Sequence, residues 1–309
     1  MRLTVFTEPQ MGASYNDLVR VARHAETCGF DGFFRSDHYL TMGGGAGLPG
    51  STDAWATLAG LARETTTIRL GTLLTCATFR LPGPLAITVA QVDGMSGGRV
   101  EFGLGAGWYE EEHRAYGIPF PPASERFDRL GEQLEIVTGL WTIPVGEQFT
   151  YRGAYYELID SPGLPKPIQR PRPPVIIGGR GPRRTPSLAA RFADEFNVPF
   201  ASIAVTAQCY ERVAQACAAQ GREAAPVLSI AQTVCCGRDD AELRRRAEAS
   251  GYPVDRLREV GLCGSPAEMV DKIGEFAQTG TSRIHMQVLD LNDLDHLDLI
   301  AAEIMPQLR

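Results

Sequence analysis

Residues able to do chemistry in this chain gather in short polar or glycine-rich stretches that follow apolar runs. Asp37-His38 follows Gly32-Phe33-Phe34-Arg35. An imidazole takes or gives a proton near neutral pH, and a polar neighbour sets its tautomer. The chain has five histidines. His24 falls mid-helix and His296 at a helix start, so both read as surface residues. His285 lies inside an apolar run and reads as packed. His113 follows three glutamates and is either exposed or lines the mouth. No two histidines stand at metal-ligand spacing, so no metal centre is expected.

Two glycine-rich loops add binding chemistry. Gly103-Leu104-Gly105-Ala106-Gly107-Trp108 lets backbone approach a ligand closely, but its spacing departs from the dinucleotide fingerprint. Gly178-Gly179-Arg180-Gly181-Pro182, followed by Arg183-Arg184, makes a phosphate cradle beside a helix start, or else a tight turn with solvent-facing arginines. Thr75-Cys76-Ala77-Thr78-Phe79-Arg80 offers small and hydroxyl side chains to a planar ring. Cys76 reads as a small buried hydrophobe, since nothing nearby activates a thiolate.

The elements that position these residues alternate. Apolar strands are expected at Leu3–Phe6, Gly32–Arg35, Ile68–Leu74, Val100–Leu104, Pro174–Ile177, Glu195–Val198, Val227–Val234 and Arg283–Leu289. Helices are expected at about Tyr15–Cys28 with Ser14 as cap and Gly29 as stop, Asp53–Glu64, Leu85–Met95, Phe127–Trp141, Ser187–Ala193, Ile203–Gln220, after the Ser265-to-Glu268 capping box, and at His296–Leu308. About eight strand-helix units favour an α/β fold, a closed (β/α)8 barrel, with active-site residues at the carboxyl ends of the strands. The Pro-rich stretch 142–174 reads as an insertion in one domain spanning 1–309, with a hairpin at Phe149–Tyr156. Together with Met42–Pro49 it is expected to roof the substrate pocket.

Bulk properties exclude several classes. A net charge of −7 argues against nucleic acid or an acidic membrane as partner. The arginines at 244–246 read as a solvated helix face. Seven cysteines without a CxxC pair fit reduced thiols in a cytoplasmic protein. Met1 leads straight into a strand rather than a signal peptide, and no run reaches transmembrane length.

Taken together, the motifs resemble the luciferase-like monooxygenase superfamily. They are Ser36-Asp37-His38, Gly71 to Arg80, Ser96 to Trp108, Pro173 to Gly179, Ala193 to Asn197 and the ending from Leu291 to Leu308. The resemblance covers nearly the whole chain and is closest to the branch using the deazaflavin coenzyme F420. It implies a TIM barrel with an insertion, a flavin-like ring across the barrel mouth, and a non-proline cis peptide at Leu73-Leu74. It further implies cofactor contacts from Asp37, Leu73, Leu74, Cys76, Gly107, Trp108, Gly178, Gly179 and Arg180, with His38 in proton transfer. A homodimer built through the helices after the early strands is implied as well.

The activity implied is hydride transfer between F420 and a small organic substrate. The alternatives are an FMN-dependent monooxygenase on the same fold and a non-catalytic flavin-binding protein. In the sugar-phosphate dehydrogenase of this branch, an acidic residue stands where this chain has Trp108 and a tryptophan stands near Met42. The resemblance therefore does not extend to a sugar-phosphate substrate.

Overall fold

Helix caps are written locally in this chain. Ser14 accepts from the Asp17 N–H while the Asp17 carboxylate accepts from the Ser14 N–H, which starts helix α1 (Tyr15–Cys28), and Gly29 ends it at φ +81°. Ser265 and Glu268 repeat the arrangement, and Asp53 caps the second helix. The computed structural model describes residues 1–42 and 46–308. Residues 43–45 of the expected pocket roof lie outside the described residues.

Strands β1 (Arg2–Thr7), β2 (Gly32–Arg35), β3 (Arg69–Thr72), β4 (Val100–Gly105), β5 (Val175–Gly178), β6 (Glu195–Pro199), β7 (Val227–Cys236) and β8 (Arg283–Gln287) pair in parallel in chain order. β7 also pairs with β8, and β8 with β1, so the sheet closes. This is the expected (β/α)8 barrel. The remaining helices are α2 (Ala54–Glu64), α3 (Pro82–Ser96), α4 (Glu110–Ala115), α5 (Ala123–Thr142), α6 (Arg184–Phe192), α7 (Ile203–Ala219), α8 (Asp240–Ala249), α9 (Val254–Val260), α10 (Pro266–Gln278) and α11 (Leu294–Leu299).

Side chains alternate across each strand. One set, including Val5, Phe33, Phe102, Ile177, Val198, Ile230 and Met286, joins the apolar layer under the helices. The other points into the barrel and is layered. At the amino-terminal end lies a buried ionic layer. Arg283 Nη1 donates to Glu101 Oε2 at 2.5 Å and Glu195 Oε2 at 2.7 Å, and Glu195 Oε1 meets His285 Nε2 at 2.7 Å. Burial works against the charge on Glu195, yet Arg283 and His285 hold its carboxyl well below the usual range. His285 is packed, as expected. Above this layer Phe6, Phe34 and Ile176 form a separate apolar plug. Gly71 makes room for it, since a Cβ there would lie 2.5 Å from the Phe34 ring.

Several expectations are corrected. The third strand stops at Thr72, and Thr75-Cys76 resumes pairing beside β4. The hairpin runs longer than expected, from Phe149–Arg152 to Glu157–Ser161. It lies on the flank of α5, where Glu132 accepts from the N–H groups of Ala154, Tyr155 and Tyr156. Gln169 Nε2 then ties the chain back to Val100 O, at the start of β4.

After β7 an excursion through α8 and α9 returns as a short strand, Leu262–Gly264, paired with Val234–Cys236. Arg246, expected on a solvated face, is buried. It donates to Cys236 O and to Asp293 and Asp295. His296, expected at the surface, is also buried. Its Nε2 accepts from the Cys236 N–H, and burial, aided by Arg246, pushes its pKa down to about 3. The last helix is α11, Leu294–Leu299, continued by a π turn and a 3₁₀ turn to Leu308.

Candidate active site

The carboxyl ends of β1, β2, β3 and β4 meet at one mouth. Leu73 and Leu74 follow β3, joined by the expected cis peptide, and sit half-exposed against the Phe6–Phe34–Ile176 plug. They form an apolar shelf. Glycines on both sides let the shelf pack closely. A Cβ on Gly105 would stand 3.0 Å from Leu74, and one on Gly178 would stand 3.3 Å from it. The ends of β4 and β5 are thus brought against Leu74.

His38 stands beside the shelf at the end of β2. Its Nδ1 lies 2.9 Å from Glu112 Oε1, and Glu112 is fully buried. The other Glu112 oxygen accepts from the Tyr39 N–H at 2.9 Å. A carboxylate only accepts, so Nδ1 carries the proton, and in the neutral imidazole Nε2 presents its lone pair. Among the described residues nothing hydrogen-bonds Nε2. The Trp108 ring stands edge-on to His38 at 5.7 Å and stacks on Tyr109. Trp108 is 63% exposed, unusual for an indole.

Glu8, just past β1, completes the polar rim. Its Oε2 accepts from Gln287 Nε2 at 2.7 Å, and Gln287 Oε1 accepts from Thr233 Oγ1 at 2.5 Å. Burial pushes the Glu8 carboxyl up, opposed by His38 and by the Gln287 hydrogen bond. Neither Glu8 nor Glu112 stands out in the sequence. Glu112 is one of three consecutive glutamates, and only its place four residues after Trp108 hints at the mouth.

The other expected contact residues divide. Asp37 is buried, with its carboxylate taken by both Arg80 Nη groups and by the Cys76 N–H at 3.1 Å. Its visible work is to tie the end of β2 to the segment after β3. Arg80 also bonds Asp53 at 2.5 Å, the cap of α2. Cys76 is buried, and burial pushes its thiol up to about 12, so it is inert as a nucleophile. Its Sγ lies 2.9 Å from Thr78 Oγ1, which in turn lies 2.6 Å from His113 Nε2. His113 is buried, with Nδ1 2.7 Å from Tyr109 O. It braces the loop after β4 against Thr78. Gly107 sits at φ +78°, where a Cβ would lie 2.8 Å from Cys76 Sγ. Gly178, Gly179 and Arg180 precede α6. Gly179 has φ +136°, and Arg180 is exposed. A helix start with cations beside it favours an anion.

Comparison with known proteins agrees with the barrel fold. Residues 1–253 match the sequence profile of the luciferase-like monooxygenase family. The F420-dependent glucose-6-phosphate dehydrogenase of Microbacterium testaceum is 36% identical over 182 residues, covering 59% of this chain and 52% of that protein. The F420-dependent hydroxymycolic acid dehydrogenase of Mycobacterium tuberculosis is 31% identical over 237 residues, covering 75% of this chain and 57% of that one. The matches thus span about half the length of these relatives. A solved F420-dependent secondary alcohol dehydrogenase, in complex with an F420-acetone adduct, superposes with a TM-score of 0.86 at 20% identity, over 100% of this chain and 99% of that one. With a barrel of the same fold and a family profile matched over most of its length, this chain belongs to the luciferase-like monooxygenase family.

Proposed function

We propose that this protein is an oxidoreductase that moves a hydride between coenzyme F420 and a small organic substrate bearing an alcohol or carbonyl carbon. The observation that carries the reading is the pairing, at one mouth, of an apolar shelf with an oriented histidine: Leu73 and Leu74 beside His38, held by buried Glu112. The two relatives named above that match in sequence are both F420-dependent dehydrogenases, which supports the choice of cofactor.

The residues present fit such a cofactor. The shelf suits one face of a planar ring, and exposed Trp108 bounds it. Gly107 leaves backbone approachable beside it, while Gly178, Gly179 and Arg180 suit an anionic phosphate at the start of α6. When bound, the deazaflavin supplies or accepts two electrons as hydride. His38 Nε2 takes the hydroxyl proton of an alcohol as it is oxidised, or returns a proton when a carbonyl is reduced. Glu112 keeps the ring turned so that Nε2 faces the mouth, and it stabilises the imidazolium once formed. Asp37 acts through Arg80 and the Cys76 N–H to hold the two strand ends in register.

The working unit is a homodimer in the cytoplasm, and the barrel with its 142–174 insertion acts as one domain. Among the described residues no helix is long and apolar enough to cross a membrane. The deciding experiment is a fluorescence titration of the purified protein with F420 and, separately, with FMN. Saturable micromolar binding of F420 in preference to FMN is expected. Tight FMN binding without F420 binding refutes the proposal. Light scattering at the monomer mass of 33.6 kDa would refute the dimer.

A further inference from the structure

We propose that His24, Cys28 and Asp298 form a site for a divalent transition metal, of the Zn²⁺ class, that clips α1 to α11. The site lies outside the barrel, away from the mouth, and does not depend on the redox reading.

His24 and Cys28 are four residues apart on α1, so their side chains rise from one face one turn apart. Asp298 arrives from α11, 270 residues later in the chain, and its Oδ1 meets both. His24 Nε2 lies 2.8 Å from it and Cys28 Sγ 3.4 Å from it. The three donor atoms all lie within 4.8 Å of one another. Imidazole nitrogen, thiolate sulfur and carboxylate oxygen together are a donor set for Zn²⁺.

The present contacts are hydrogen bonds, from His24 and from Cys28 to Asp298 Oδ1. Zn–N and Zn–O bonds of about 2.0–2.2 Å and a Zn–S bond of about 2.3 Å, placed tetrahedrally, need ligand separations of roughly 3.3–3.8 Å. The His24–Asp298 edge must therefore open by about half an ångström, within the reach of side-chain rotation. The Asp298 side chain is 52% exposed, which leaves an approach for the ion and room for water as fourth ligand. Burial and the Asp298 carboxylate push the Cys28 thiol up to about 11, so the thiol stays protonated until a metal displaces its proton.

The scaffold around the ligands is already set. Arg20, one turn before His24, donates to Leu291 O and Asn292 Oδ1, fixing α1 against the segment that leads into α11. The cations nearby are engaged elsewhere, Arg20 with Asp17 and Arg23 with Glu64. Searching for paired histidines misses this site, because its ligands differ in type and one comes from the far end of the chain.

The test uses the reduced, chelator-stripped protein and Co²⁺ as probe. One equivalent should bind saturably, with a sulfur-to-cobalt charge-transfer band in the near ultraviolet and tetrahedral ligand-field bands in the visible. Cys28→Ser should abolish the charge-transfer band, and His24→Ala and Asp298→Asn should each weaken binding by tenfold or more. Free Zn²⁺ at about a hundred times its Kd should raise Tm by about 4 °C in the parent protein and not in Cys28→Ser. All three side chains are at least partly exposed, and Tm in chelator checks that each variant folds. Asp298→Asn, nearly isosteric, keeps the test readable if another variant fails. Absence of a saturable cobalt spectrum, or an undiminished charge-transfer band in Cys28→Ser, overturns the proposal. So does parent-like affinity in both His24→Ala and Asp298→Asn.

Discussion

Replacing Arg283 with methionine tests the ionic layer beneath the mouth. Arg283 is 1% exposed and bonds both Glu101 and Glu195, which are themselves nearly fully buried. Methionine fills similar space but leaves two buried carboxylates without their shared cation. Removing one partner of a buried ion pair costs about 3–5 kcal/mol. Glu101 keeps Arg69 and Glu195 keeps His285, so the lower end, about 3 kcal/mol, is expected. With an unfolding entropy of about 2.1 cal/mol/K per residue, that corresponds to a Tm lower by about 5 °C.

The pH dependence adds a second readout. In the parent, Glu195 is held below its unfolded value of 4.5. Its contribution is therefore complete above that pH and is lost as pH falls through the folded pKa. Without Arg283, burial dominates and raises the carboxyl above its unfolded value. The variant then regains stability on protonation, so the gap between variant and parent narrows from pH 7 to pH 4. Guanidinium unfolding followed by tryptophan fluorescence at several pH values measures the gap. A gap under about 1 kcal/mol, or one constant with pH, would falsify the claim that paired charge holds this layer.

Other expectations concern the mouth and the caps. With a substrate found by screening alcohols and carbonyls, His38→Ala should lower turnover by about 10²–10⁴-fold with F420 affinity little changed. Glu112→Gln should lower it by less and alter its pH profile, whereas unchanged turnover in His38→Ala removes that residue from the mechanism. Arg180→Ala should weaken F420 by about 1.5–3 kcal/mol and a dephosphorylated ring analogue by much less, so equal losses in parallel titrations make the loop a structural turn. Ser14→Ala removes a formed capping box and should cost about 0.5–2 kcal/mol by chemical denaturation, and no loss makes the cap redundant with barrel packing.

What was legible in the sequence had its cause nearby in the chain. Ser14 and Asp17, Asp53, and Ser265 and Glu268 state where helices begin because cap and capped N–H lie within one turn. Eight repeated strand-helix units specify a closed parallel order, and closure places Asp37-His38, Leu73-Leu74 and Trp108 at one end. The polar residues whose burial was missed have distant partners. Glu112 meets His38 across 74 positions, His296 meets Cys236 across 60, and Arg246 meets Asp293 across 47. A charged or imidazole side chain enters the interior only where a complementary group is delivered to it. Which group arrives is decided by the closed strand order rather than by neighbours in the chain. The same reasoning bears on Asp37. Family resemblance implies a cofactor contact for it, and the structure engages its carboxylate with Arg80, 43 residues on, and with the Cys76 N–H. Asp37 thus fixes the strand ends between which the apolar shelf is held.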